Sequence, residues 1–236
     1  MRFSKPLVRG QLVKRYKRFL ADVILDSGEA ITAHCANPGS MLGLNTPGSL
    51  VYLSKSDDPK RKLPYSWEIM EADGGLVGIN TAHPNGLVAD AILDGTIAEL
   101  AGYETLRREV KYGKNSRVDI LLTSPDKPDT YVEVKNVHLM RDKGIAEFPD
   151  SVTSRGAKHL YELADMVEAG RRAVMVFLVQ RTDCTLFKLA DDIDKAYAKA
   201  FAEATERGVE TLIYRCDITP EEIRASTRLD FVVPSV

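Results

Sequence analysis

The sequence predicts a two-part protein of the α/β (α+β) class: a small N-terminal β-barrel, then a mixed sheet with helices on its faces. Three observations carry that reading. Residues 1–82 are short β-forming runs separated by Gly and Pro. The segment NTAHPNG at 80–86 breaks the pattern, and its Pro84 prevents a helix from starting earlier. Beyond it, helical and strand patterns alternate, with a near-continuous apolar run at 173–180 that reads as a strand buried on both faces. With 236 residues the chain can fill one large or two small units. The expected units are 1–82 and 83–236.

In the first unit, residues 10–25 mix basic and apolar positions, and 31–35 continue the pattern up to the turn Asn37-Pro38-Gly39-Ser40. Strands follow at 49–54 and 65–70, separated by a charged loop containing Pro59. At about 80 residues an OB-like barrel is the natural expectation. In the second unit, a helix is predicted at 87–101, strands at 104–112, 117–123 and 131–137, and a helix at 153–169 capped by Gly170. The strand at 173–180 comes next, then a short strand near Thr185, a helix at 191–207 stopped by Gly208, and a strand at 209–216.

Composition excludes several classes. No apolar run is long enough for a signal peptide or a membrane span, the longest strongly apolar stretch being Val174 to Val179. The three cysteines are widely spaced without a CxxC pair, which fits reduced thiols in a cytoplasmic protein rather than a disulfide framework or zinc knuckle. The formal net charge is −2, yet its distribution is uneven. Residues 1–20 hold Arg2, Lys5, Arg9, Lys14, Arg15, Lys17 and Arg18 and no acid. A basic arm on a slightly acidic body can bind phosphate while the average charge hides it. The competing reading is a solvated edge strand protected by Lys and Arg.

The chemistry centres on three residues. Asp119 lies in RVDILLT, among strong β-formers, where a carboxylate is costly to bury without a partner. Glu133 and Lys135 in YVEVKNV are two apart in a strand and project to one face, with Val132 and Val134 on the other. The turn-rich SPDKPD between the two strands predicts an antiparallel hairpin. If Thr123 paired with Thr130, Asp119 would fall opposite Val134 on the wrong face, so a one-residue offset or bulge is expected. Two carboxylates on adjacent strands suit a hard cation such as Mg²⁺ or Mn²⁺, and Lys135 can orient a water or neutralise charge on phosphate. The bland alternative is a solvated Glu/Lys strand face.

Glu99 falls on the apolar side of the expected helix and is a further candidate metal ligand. Glu109 in RREVKYG is another possible carboxylate, with an ordinary strand-surface residue as the favoured reading. Arg155, Lys158 and His159, within about one helical turn, could hold phosphates beside the metal. His34, His83 and His138 have no spacing that points to zinc.

The motifs HCANPGSM (34–41), REVKYG (108–113), SRVDILL (116–122), YVEVKNV (131–137), FPDSVTSRGAKHL (148–160) and RGVETLIYRCDI (207–218) closely resemble the sugar fermentation stimulation protein A family. That resemblance runs from about residue 12 to 218. It implies an N-terminal OB-fold domain and a C-terminal domain similar to PD-(D/E)xK nucleases, in a family described as DNA-binding and linked to regulation of sugar (maltose) metabolism genes. Asp119, Glu133 and Lys135 match the nuclease pattern, with Glu99 in the place of the helix carboxylate. Val118 stands where that pattern has proline.

Three functions compete. The first is a Mg²⁺-dependent DNA phosphodiesterase whose barrel holds the nucleic acid through Arg9, Lys14, Arg15, Tyr16, Lys17 and Arg18, with Phe19 available for stacking, while Arg155 and Lys158 face phosphate. The second is a DNA-binding regulator of sugar metabolism genes that does not cut. The third is a metal hydrolase acting on a small phosphate. The partner expected under the first two is DNA; no membrane is expected, and a homo-oligomer is compatible with the sequence.

Overall fold

The computed structural model describes residues 1–113 and 116–232. The last four positions of the second expected unit lie outside the described residues. Six strands come first: β1 (Val8–Tyr16), β2 (Leu20–Leu25), β3 (Ala30–His34), β4 (Leu50–Lys55), β5 (Tyr65–Ala72) and β6 (Gly75–Gly78). They run in the order β3-β2-β1-β4-β5-β6, and β3 returns to β5 through the pair His34 and Ser66, closing the sheet into an OB-like barrel. Closure removes exposed sheet edges and leaves an interior that side chains must fill. Leu12, Val23, Ala33, Leu53 and Trp67 fill it, drawn from the alternating inward positions of their strands. Gly10 is needed where β1 crosses β2, because a Cβ there would lie 2.7 Å from the carbonyl oxygen of Ile24.

The second body is a six-stranded mixed sheet. Its strands are β7 (Thr105–Tyr112), β8 (Ser116–Ser124), β9 (Lys127–Val137), β11 (Arg172–Val179), β13 (Glu210–Ile218) and β14 (Ile223–Arg228), in the order β14-β13-β11-β9-β8-β7. The centre, β9-β11-β13, is parallel, and both flanks are antiparallel. The central β11 is buried along nearly its whole length, as its apolar sequence predicts. Helix α1 (Pro84–Leu93) covers one face, packing Leu87, Val88 and Ile92 on Ile120, Val132 and Val176. Helices α2 (Ser154–Glu168) and α3 (Lys195–Glu206) cover the other, burying Leu160, Leu163 and Phe201 with Met175 and Phe177. Each such side chain, taken fully out of water, contributes roughly 1.5–3 kcal/mol. A small parallel sheet of β10 (Ile145–Phe148), β12 (Leu186–Leu189) and β15 (Asp230–Phe231) caps this side.

Local sequence explains the helix ends. Pro84 starts α1 because a first-turn proline has no N–H to leave unpaired. Thr153 caps α2 by accepting from the Gly156 amide at 3.1 Å. Asp194 caps α3 through the Tyr197 amide at 2.9 Å and also accepts from the Thr153 amide at 2.7 Å, joining the two helix starts. The helix expected over 87–101 is shorter than the sequence predicts. It stops at Leu93, followed by Asp94 and by Gly95 at φ +82°, and residues Ala98–Leu100 form only a single 3₁₀ turn.

The barrel is fixed to the mixed sheet. The Gly78 amide donates to the Gln180 carbonyl at 2.9 Å, and the Leu76 amide donates to Thr182 Oγ1 at 2.9 Å. Arg181, 1% exposed, reaches Asp73, Asp183 and the carbonyl of His138. A buried guanidinium held this way is costly to strand, about 3–5 kcal/mol when a partner is removed. The first residues lie on the second body: the Met1 ammonium donates to the Ile223 carbonyl at 2.8 Å and the Phe3 amide to the Glu221 carbonyl at 3.0 Å. Among the described residues, no helix is long and apolar enough to cross a membrane.

Candidate active site

The site lies where the sheet splits. Strands β8 and β9 pair at Ser124 with Lys127, then Leu122 with Thr130, Leu121 with Tyr131 and Ile120 with Val132. The register shifts between Leu122 and Ser124, the one-residue offset that the parity of Asp119 calls for. The ladder ends at Ile120. Just beyond it, Asp119 Oδ2 accepts the Val134 amide hydrogen at 2.7 Å, so a side-chain carboxylate satisfies a backbone donor that the departing strand no longer reaches.

The arrangement continues to the sheet edge. The β7–β8 register pairs Arg108 with Ile120 and Val110 with Val118, which places Glu109 across from Asp119. Glu109 sits at φ +55°, a left-handed conformation unusual for a non-glycine residue inside a strand. The Asn85 side chain, from the first turn of α1, bridges the two: its Nδ2 donates to Asp119 Oδ1 at 2.7 Å and to Glu109 Oε1 at 3.2 Å. Glu109 and Asp119 thus share one amide, and Glu133 on the next strand is near enough to Asp119 for its charge to be felt there.

Glu133 is 2% exposed and approached from two sides. Its Oε1 accepts from Lys135 Nζ at 2.8 Å and also meets His159 Nδ1, brought in by α2. Its Oε2 is buried with no hydrogen-bond partner. Burial raises the Glu133 pKa, but the His159 hydrogen bond and the Lys135 charge outweigh it and hold the group below its ordinary value. Asp119 goes the other way. Burial, then the neighbouring Glu133 charge, push it up to about 6, against the opposing pull of the Val134 amide, Lys135 and Asn85. Tyr112 is raised too, first by burial and then by Glu133, Glu162 and Asp119.

The hydrogen-bond pattern assigns the His159 tautomer. Arg155 Nε lies 3.3 Å from His159 Nε2. A guanidinium can only donate, so Nε2 accepts and the ring proton sits on Nδ1, facing Glu133. Arg155 and Lys158 are both exposed on α2, and Lys158 pairs with Glu162 at 3.6 Å.

Asp119, Glu133 and Lys135 therefore come together. Glu99 does not join them, which corrects the expectation of a helix carboxylate. The helix that was to carry it ends at Leu93, and the Glu99 carboxylate is bonded to the Tyr214 hydroxyl at 2.7 Å and to Arg228. What α1 brings to the site is the amide of Asn85. Asn85 was missed: its NTAHPNG context marks a turn and a helix start, but nothing in it signals contact with a strand 34 positions away. Glu109, read foremost as a strand-surface residue, joins Asp119 at that amide through a backbone conformation that has no sequence signature.

The basic arm is partly engaged within the barrel. Arg9 pairs with Asp26 at 2.8 Å, and Lys14 lies 3.5 Å from Asp22 and over the Tyr16 ring. The Tyr16 hydroxyl donates to Asp22 at 3.1 Å. Arg15 is half-buried and donates to the carbonyls of Arg18, Asn37 and Gly39 at 2.9–3.0 Å, stapling the 37–40 turn to the barrel. Acids and carbonyls distant in sequence fold back onto these residues, which counting charges along the chain does not reveal. Lys17 and Arg18 remain exposed at the β1–β2 hairpin tip.

The residues fit a hard divalent cation. Glu133 Oε2 is a buried, unpartnered anionic oxygen, and Asp119 is a carboxylate whose charge is under-compensated. Among the described residues no three His, Cys, Asp or Glu side chains converge on one point, so a cation here would rest on two carboxylates with backbone and water oxygens. That is the ordinary habit of Mg²⁺, which keeps several waters. His83 instead bonds Glu68 at 2.8 Å, and His138 bonds Asn37 at 2.8 Å.

Comparison with known proteins agrees with this architecture. The family model described as the sugar fermentation stimulation protein RE domain matches residues 82–222, and that of the SfsA N-terminal OB domain matches residues 13–79. A sugar fermentation stimulation protein homolog from Rhodospirillum centenum is 62% identical over 223 residues, covering 94% of this chain and 96% of its own. One from Paramagnetospirillum magneticum is 58% identical, covering 94% of each chain. Among solved structures, Pyrococcus furiosus SfsA in complex with Ca²⁺ matches with a TM-score of 0.88 at 26% identity, over 99% of this chain and 98% of that one.

Proposed function

Because the chain belongs to the sugar fermentation stimulation protein family, we propose that it is a cytoplasmic DNA-binding protein that hydrolyses phosphodiester bonds at a divalent cation held by Asp119 and Glu133. In this reading residues 1–82 bind and position the nucleic acid and 83–236 carry the chemistry. The observation that carries it is the pair of neighbouring carboxylates on adjacent strands just past the end of the β8–β9 ladder, one with a buried oxygen left over for a cation. The Ca²⁺ in the Pyrococcus furiosus relative supports an oxygen-ligated divalent site, and Mg²⁺ or Mn²⁺ is the working ion we assign.

The cation, when bound, supplies Lewis-acid polarisation of the phosphate. The chain's residues do the rest. Asp119 is fixed by the Val134 amide and by Asn85, so its oxygens are aimed before any ion arrives. Glu133 is fixed by Lys135 and by His159, which Arg155 in turn orients. Lys135, beside the carboxylates, is placed to orient the attacking water and to stabilise charge that develops on the phosphate oxygens. Arg155 and Lys158, on the exposed first turns of α2, face incoming phosphate, and Lys17 and Arg18 extend that contact from the barrel.

The test is an assay of DNA cleavage with Mg²⁺ or Mn²⁺ on the wild-type protein and on Asp119→Ala, Glu133→Ala and Lys135→Ala. Loss of cutting in all three, with binding retained, supports the reading. Equal cleavage by wild type and variants ends it. A second reading, a DNA-binding regulator of sugar metabolism genes that does not cut, is favoured by Asn85 holding the place expected for a helix carboxylate. It predicts binding without metal and no cleavage of any DNA form.

A further inference from the structure

Four exposed cations stand close together at the outer edge of the mixed sheet. Arg107, Arg108 and Lys111 on β7 and Arg117 on β8 are all exposed, and none has a hydrogen bond or ion pair among the described residues. The arm residues Arg9 and Lys14, by contrast, are neutralised by Asp26 and Asp22. β7 is the last strand of its sheet, so no further strand covers its outer edge.

Their register sets the four on both sides of the Glu109 position, with Arg107 and Arg108 on opposite faces of β7. Arg107 pairs with Leu121 and Arg108 with Ile120 on one side of Glu109 and Asp119, while Lys111 pairs with Arg117 on the other. The first turn of α1 closes in at the same place, where a Cβ on Gly86 would lie 3.9 Å from Arg108 Nη1. At roughly 3.3 Å per residue the track from Arg107 to Lys111 is about 13 Å long. Phosphates of one strand of duplex DNA follow one another about every 3.4 Å along its axis. A backbone laid along this edge therefore crosses the carboxylates with cations on both sides of them.

The geometry points to Arg107, Arg108, Lys111 and Arg117, rather than Arg9 and Lys14, as the main phosphate-binding edge, and to the backbone of duplex DNA as its occupant. The inference rests on the proposed function for the identity of the partner, but not on cleavage. Cations on an edge strand also discourage edge-to-edge pairing, and that role alone predicts no effect on DNA affinity.

The experiment measures binding of a fluorescent 20-base-pair duplex in EDTA from about 0.05 to 0.3 M salt, so that no metal-dependent cutting takes part. Replacing all four residues with Gln is expected to weaken binding at least about tenfold at 0.1 M salt and to reduce the slope of log K against log salt by roughly 3. The double variant Arg9→Gln/Lys14→Gln is expected to change affinity less than about twofold and the slope by less than about 1. If circular dichroism shows the fourfold variant unfolded, Arg107→Gln/Arg117→Gln replaces it, with an expected slope change of roughly 2. Equal loss in both sets, loss in the arm set alone, no loss in either, or no duplex binding by wild type overturns the inference. A wild type that binds through this edge yet never cuts with Mg²⁺ leaves the inference standing and removes only the hydrolytic reading.

Discussion

The Asp119 carboxylate occupies a place that a neighbouring strand would otherwise fill: its Oδ2 accepts the Val134 amide hydrogen at 2.7 Å, just past the last β8–β9 pair. One side chain therefore does two jobs. It closes the backbone accounting at a fork in the sheet, and it sets a carboxylate near Glu133. A carboxylate that is also a structural acceptor is positioned without a loop of its own, and under the proposed function changes to it are read in both stability and activity.

Asp119→Asn should stabilise the metal-free protein at neutral pH. The folded pKa of Asp119, about 6, lies above its reference value of 3.8, so between these values the folded state holds more proton than the unfolded one. Stability then falls as pH rises through that window, and the penalty is complete above it. At about 1.4 kcal/mol per unit, the gain on neutralising the group is on the order of 1–3 kcal/mol at pH 7.5 and near zero at pH 3.5. Asn85 can rotate its amide oxygen toward the new NH₂. Urea melts at the two pH values measure this, and a variant no more stable than wild type at pH 7.5 contradicts it.

Cation binding should weaken on acidification for the same reason. A proton on Asp119 competes with the ion, and at pH 5 only about a tenth of the carboxylate is ionised. Mn²⁺ affinity by titration calorimetry should therefore fall about tenfold from pH 7.5 to pH 5. An affinity flat across that range would mean that Asp119 is not a ligand.

Divalent cations should raise the unfolding midpoint in proportion to the logarithm of their concentration. An ion at 100 times its dissociation constant adds about 2.7 kcal/mol. EDTA should reverse the shift, and Asp119→Ala should abolish it. Calorimetric scans with Mg²⁺, Mn²⁺ and Ca²⁺ give the comparison.

His159→Ala should lower cleavage and cation affinity by about 10- to 100-fold, the usual effect of removing a group that orients a metal ligand. The variant also leaves Glu133 with one partner fewer in a buried place, costing roughly 1–3 kcal/mol. His159→Gln, which keeps a donor, should recover part of both. Recovery of stability without recovery of affinity would reduce His159 to a packing residue.

Arg15→Ala should act on stability rather than on DNA binding. It removes three bonds to the carbonyls of Arg18, Asn37 and Gly39, and a loss of about 1–2 kcal/mol is expected from a partly buried charged donor. Denaturant melts read the first effect, and the salt dependence of DNA binding, unchanged within about one unit of slope, reads the second.

Much of the architecture was legible because it rests on local rules. The alternating strands of the barrel, the apolar run of β11, the turn at SPDKPD and the stops at Gly170 and Gly208 are written in residue types. So was the parity problem at Asp119. Two-residue periodicity shows that a simple hairpin would put it on the wrong face, and the shift between Leu122 and Ser124 is the remedy the chain uses. The extent of α1 was not legible, since the helical pattern continues past the Asp94-Gly95 stop and Glu99 keeps an apolar-side position on a helix that is no longer there.

The sequence by itself determined which groups are available: two carboxylates and an ammonium on adjacent strands, a helix carrying Arg155 and His159, and a surplus of positive charge near the N-terminus. Only the tertiary structure decided how those groups are used. Asp26 and Asp22 pair with Arg9 and Lys14 of the arm, Tyr214 and Arg228 take Glu99, and Asn85 and His159 close on the carboxylates from opposite faces of the sheet. The physical reason is that charge and hydrogen bonding act through a few ångströms of space, and distances in space between residues far apart along the chain are set by packing, not by local pattern.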